Sequence, residues 1–183
     1  TQEGLYGHFS AIASSVEIPI VIYNIQGRTG VNMETQTLAK LAKEHSNITG
    51  VKEASGNIAQ MMEVINTLPK SFDVLSGDDN LTLPLMALGG KGVVSVASNI
   101  MPKEMHELAE CCLNGRWEEA RGLHYKMLPL FKAISLIQEW NTSAASGMRG
   151  ISKVHRKERE RLTKAILPES LVELKTLNPK LVF

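Results

Sequence analysis

The chain has 183 residues, 43% of them hydrophobic, and a formal net charge of +1. That length suits one domain with a sizeable core. The balanced charge argues against a general affinity for nucleic acid or an anionic membrane, and no apolar run is long enough to span a bilayer. Thr1-Gln2-Glu3-Gly4 carries neither a basic n-region nor a signal h-region, so a cytoplasmic protein is expected.

Leu5, Phe9, Ile12 and Ala13 recur at helical spacing and predict a helix over about 3–15. The β-branched run Ile18 to Tyr23 predicts a buried strand. Asn32 is placed to cap a helix that carries Leu38, Leu41 and Ala42 on one face. A second strand follows at Ile48 to Lys52, then a helix with Ile58, Met61, Met62 and Ile65 that stops before Pro69. Phe72 to Ser76 reads as a third strand. A short helix through Leu85, Met86 and Leu88 ends at Gly89-Gly90. The fourth strand is Gly92 to Ala97. Pro102 opens a helix through Met105, Leu108 and Cys112, and Asn114-Gly115 closes it. Cys111 and Cys112 are adjacent, a spacing that suits neither a bridge nor a metal site, and both read as free thiols.

Strands alternating with helices in this way are the pattern of parallel βα units. Strands without polar alternation imply a sheet covered on both faces. An open doubly wound sheet and a (β/α)8 barrel both fit. No GxGxxG or Walker A run follows a strand, which counts against a nucleotide-binding sheet. Polar residues collect at the strands' C-terminal ends, at Tyr23-Asn24, Lys52-Glu53, Ser76-Gly77-Asp78-Asp79 and Ser95 to Asn99. In a barrel those ends form the active-site face.

Lys52 alternates with Gly50 and Ala54 on one strand face. If that face points inward, the ammonium is partly desolvated and its free amine is favoured, as a carbonyl-attacking lysine requires. On spacing alone, a lysine at a strand end more often reaches solvent. Tyr23 closes the preceding strand as Lys52 closes its own. Neighbouring strands lie about 4.8 Å apart, so the two side chains can meet and the phenol can relay protons. Arg28 lies in the loop Gly27-Arg28-Thr29-Gly30, where flanking glycines let the backbone turn and a guanidinium suits a carboxylate.

Four segments in order carry a resemblance: Tyr23 to Gly30, Gly50 to Gly56, Ser76 to Asp79, and Gly89 to Val96. They resemble the dihydrodipicolinate synthase family of pyruvate-dependent Schiff-base lyases, from residue 1 to about 134. The resemblance implies a TIM barrel, an α/β (β/α)8 fold, in a homotetrameric enzyme of lysine biosynthesis. It implies that Lys52 forms the Schiff base with pyruvate and that Tyr23 donates and accepts protons. Arg28 would hold the carboxylate of aspartate 4-semialdehyde, the Val94 carbonyl would lie against pyruvate, and Gly77 would line the pocket. No metal or organic cofactor is implied. Sialic-acid lyases and sugar-acid aldolases share the Tyr and Lys logic but generally lack the Gly-Arg-Thr-Gly loop. Gln26 stands where the family usually has proline.

A full barrel takes about 250 residues. The four strands match the family's strands five to eight, which implies a partial barrel over 1–134 and a divergent segment over 135–183. The Thr-Thr pair that binds the pyruvate carboxylate and a second relay tyrosine would belong to the other half. A non-catalytic truncated homologue is therefore a third reading beside the synthase and the sister aldolase. Trp140 to Gly147 reads as a linker. The charged run Lys153 to Lys164 has no interleaved aromatic for base stacking and reads as a solvated face.

Overall fold

The computed structural model describes residues 1–145, with side chains through residue 135. The charged run Lys153 to Lys164 lies outside the described residues. The chain divides into two compact units, Thr1–Lys126 and Met127–Phe183.

The first unit opens with helix α1 (Gln2–Ser15), capped by the Thr1 hydroxyl, which accepts from the Gly4 N–H. Pro19 precedes strand β1 (Ile20–Asn24). A single turn, α2 (Gln26–Thr29), and helix α3 (Thr35–Glu44) follow. Strand β2 (Ile48–Glu53) leads into α4 (Ile58–Thr67), whose first turn is capped by the Asn57 side chain. Strand β3 (Asp73–Ser76) is followed by a 3-10 turn at Asp79–Leu81 and helix α5 (Thr82–Ala87). Strand β4 (Gly92–Val93), a 3-10 turn at Ala97–Asn99 and α6 (Pro102–Leu113) complete the alternation. Helix α7 (Trp117–Ala145) begins in this unit and continues into the second. The second unit's described part is helical, with Pro129 inside it and Ser135 donating back to the Phe131 carbonyl. Among the described residues no helix is long and apolar enough to cross a membrane.

All four strands are parallel, and their spatial order is the chain order, β1-β2-β3-β4. A doubly wound sheet reverses its winding at a switch point. This sheet does not reverse, so the two architectures open in the sequence resolve to a partial barrel of four consecutive β/α units.

Alternation within the strands sorts their two faces. Ile22, Val51 and Val74 point to the helices and join a core with Leu38, Leu41, Met61, Val64 and Leu85. Fully burying a side chain of this size contributes about 1.5–3 kcal/mol. Asn47 joins α1 to the sheet by donating from its amide to the Ala13 and Val16 carbonyls, satisfying acceptors at that helix end. Val21 and Tyr23 point the other way and are exposed. The sequence reading of a sheet covered on both faces is therefore corrected. Unbroken apolar runs report composition, and among the described residues the helices cover one face of the sheet.

Three further expectations change. The fourth strand is two residues long. Val94 still bonds to the Ser76 carbonyl, but the Asp79 carboxylate takes the Val96 and Ala97 N–H groups and draws the backbone out of the sheet. Asn32 does not cap α3, whose N-cap is Glu34 without a side-chain bond. Trp140 to Ala145, read as linker, is helical. Cys111 and Cys112 are buried and free, as the sequence suggested.

Candidate active site

Strand pairing aligns Tyr23 of β1 with Lys52 of β2 and, one step on, Asn24 with Glu53. Tyr23 and Lys52 therefore stand side by side at the C-terminal end of the sheet's open face. The Lys52 Nζ lies 3.9 Å from the centroid of the Tyr23 ring. An ammonium over a phenol face is held by the ring quadrupole, a weak restraint at an exposed site. Lys52 is partly buried and Tyr23 is 44% exposed. The closed, desolvated space foreseen around Lys52 is thus not built by the described residues. They supply the floor and one wall.

Gly77 sits directly beside this pair. Its N–H donates to the Glu53 carbonyl at 2.7 Å, just past the end of β3. A Cβ at this position would stand 3.1 Å from both Cγ and Cε of Lys52 and 2.8 Å from the Ala54 Cβ. The missing side chain is the channel through which the lysine stem reaches the open face. Val94, just past β4, is 43% exposed.

Arg28 lies on α2 and is exposed. The loop expected there is one helical turn. Gly30 closes it in the left-handed region at φ 71°, and its N–H bonds to the Gln26 carbonyl. Gln26 is the first residue of that turn, a position that also suits proline. The turn begins two residues after the end of β1, the strand that carries Tyr23.

The sequence reading gave no role to the residues behind the pair. Asn24 is 4% exposed and Glu53 1%. The Asn24 amide donates to both Glu53 oxygens, at 3.3 and 3.1 Å, and to Asn32 Oδ1 at 2.9 Å. Its own carbonyl accepts the Met33 N–H. The Ser55 N–H donates to Glu53 Oε1 at 2.8 Å. Asn32 then donates to Gln60 of α4 at 2.7 Å. A buried carboxylate without donors is heavily penalised, and these bonds offset that penalty. One sequence signal pointed this way: in a strand, the neighbour of an open-face lysine must face the helices.

Asp78 lies beyond β3. Burial pushes its carboxyl above the usual carboxylate range, and the charge of Asp79 adds to the rise. A proton on Asp78 therefore favours folding. That stability is full in acid below the ordinary carboxylate range and is lost as pH rises through the raised value. Asp78→Asn is expected to raise the urea midpoint at neutral pH and to leave it unchanged near about pH 3. An equal gain at both pH values would show that the charge is not the cause.

The parallel strands, wound in chain order, define the class: a partial (β/α)8 barrel, a fold whose active sites lie at the strands' C-terminal ends. The chain belongs to the dihydrodipicolinate synthetase family, whose sequence model matches residues 1–156. It is 54% identical over 132 residues to 4-hydroxy-tetrahydrodipicolinate synthase of Hydrogenobaculum sp. (strain Y04AAS1), covering 72% of this chain and 45% of that protein. It matches the crystal structure of dihydrodipicolinate synthase from Aquifex aeolicus at TM-score 0.72 and 51% identity, over 73% of this chain and 46% of that one. A second structure, the chloride-inhibited dihydrodipicolinate synthase from Acinetobacter baumannii complexed with pyruvate, matches at TM-score 0.75 and 33% identity, over 91% and 61%. The chain thus spans about half the length of the curated relatives it matches.

Proposed function

We propose that the chain carries the Schiff-base half of a 4-hydroxy-tetrahydrodipicolinate synthase site, condensing pyruvate with aspartate 4-semialdehyde. The observation that carries this reading is the Tyr23–Lys52 pair, in register on adjacent strands with Nζ 3.9 Å from the ring centroid. The free amine of Lys52 attacks the pyruvate ketone carbon to give a carbinolamine, which loses water to the imine. Tyr23 carries the protons that these steps release and require. Loss of a methyl proton gives the enamine, whose carbon attacks the semialdehyde aldehyde. The substrate's amine then adds to the imine carbon, closes the ring and releases Lys52. Arg28, on the exposed turn after β1, grips the semialdehyde carboxylate with its guanidinium. Gly77 leaves room for the lysine, and the Val94 carbonyl borders the bound pyruvate.

The same reading places the reaction in lysine biosynthesis, in the cytoplasm, in a homo-oligomer such as a tetramer. The names of the relatives favour it over a sister aldolase for keto-sugar acids, as does the arginine on the turn after β1. The test supplies pyruvate with aspartate 4-semialdehyde and, separately, keto-sugar acids. Joint consumption of pyruvate and semialdehyde is expected. Cleavage of a keto-sugar acid without semialdehyde consumption would overturn the assignment.

A further inference from the structure

The sheet has two faces at the level of the site, and the hidden one also carries polar side chains. One residue past each reactive side chain, β1 and β2 turn a buried polar group toward the helices: Asn24 after Tyr23, and Glu53 after Lys52. The two are register partners, as are Tyr23 and Lys52. A pair of apolar side chains would fill the same space. Ile22 and Val51 do so on the same face, one side chain below. The polar pair differs in being directional. Its bonds have a fixed length, whereas an apolar contact tolerates sliding along the strand.

We propose that Asn24 and Glu53 are positioning residues, whose bridge behind the sheet sets the relative height of Tyr23 and Lys52 in front of it. The bridge reaches beyond the two strands. Glu53 also takes the Ser55 N–H and so fixes the start of the loop after β2. Asn24 takes the Met33 N–H and donates to Asn32, which closes the segment carrying Arg28 at its base. Asn32 and Gln60 then tie this cluster to α4. Ala54 N–H bonds to the Asn24 carbonyl and Gly77 N–H to the Glu53 carbonyl, so the backbones of both positioning residues brace the segment around Lys52. Neither side chain touches the reacting atoms. They act through the two residues that precede them.

This inference rests on the Schiff-base reading, and its test separates the two. The full chain is incubated with pyruvate and cyanoborohydride, and the rate of adduct formation is followed by intact mass across pyruvate concentrations. Asn24→Asp sets two carboxylates face to face. The second substitution, Glu53→Gln, restores a donor toward position 24 while its oxygen still takes the Ser55 N–H. Asn24→Asp is expected to lower the saturating rate by at least about ten-fold, with little change in the half-saturating pyruvate. The double variant should recover to within about three-fold of the original chain. A loss confined to general stability would not follow this split or this rescue. A folded Asn24→Asp chain with an unchanged saturating rate would overturn the proposal. If circular dichroism shows that Asn24→Asp does not fold, Glu53→Gln alone decides: a slower saturating rate supports the bridge, and an unchanged rate overturns it. An original chain that forms no adduct overturns the Schiff-base reading instead.

Discussion

Tyr23→Phe is expected to slow pyruvate adduct formation by about 100-fold while leaving the fold intact. The substitution separates two things that the tyrosine does. Its ring lies under the Lys52 ammonium, 3.9 Å from Nζ to centroid, and phenylalanine keeps that ring. Its hydroxyl is the only part removed. Tyr23 is 44% exposed on the open face, so no buried partner is stranded by the change. A stability effect beyond about 0.5 kcal/mol is not expected at such a site. If the hydroxyl carries protons for carbinolamine formation and breakdown, the rate falls and the pyruvate concentration for half-saturation changes little. An unchanged rate would assign the tyrosine to holding the ammonium alone. Trapping kinetics under saturating pyruvate measure the difference.

The second large effect is expected from Gly77→Ala. The new Cβ would stand 2.8 Å from the Ala54 Cβ, which the backbone fixes, and 3.1 Å from two carbons of the Lys52 stem, which is free to rotate. The stem gives way first, and it swings the amine off the Tyr23 ring. Adduct formation should slow by at least about ten-fold. The residual clash with Ala54 should cost about 1–3 kcal/mol, read from urea denaturation. The two readouts together are diagnostic. Loss of stability with an unchanged trapping rate would mean that Gly77 serves backbone packing and not the lysine.

Much of this arrangement is legible in the sequence. Period-two alternation puts Lys52 with Gly50 on one face of β2, and Tyr23 with Val21 on one face of β1. The strand pairing joins those faces in register. The winding was open because βα alternation is shared by both parallel architectures, and only the order of strands in space separates them.

Other features were hidden for identifiable reasons. The turn holding Arg28 is a helix of four residues, too short for any hydrophobic period, and its glycines read as a loop. Asn32 has the chemistry of a cap, but its side chain is taken by Asn24 and Gln60, 8 and 28 residues away. The fourth strand stops early because Asp79, 17 residues upstream, competes for the Val96 N–H. The Asn24–Glu53 bridge joins positions 29 residues apart, and neither residue looks buried by type. Local patterns identify the side chains that face the open side. Long-range hydrogen bonds decide what stands behind them.

Every step proposed for the site depends on Lys52 being the amine that captures pyruvate. The most direct measurement is peptide mapping of the chain after incubation with pyruvate and cyanoborohydride. One reduced pyruvate adduct, located on Lys52, is expected, and none in a Lys52→Ala chain. A folded chain that carries no adduct, or carries it spread over surface lysines with Lys52 unmodified, would contradict it.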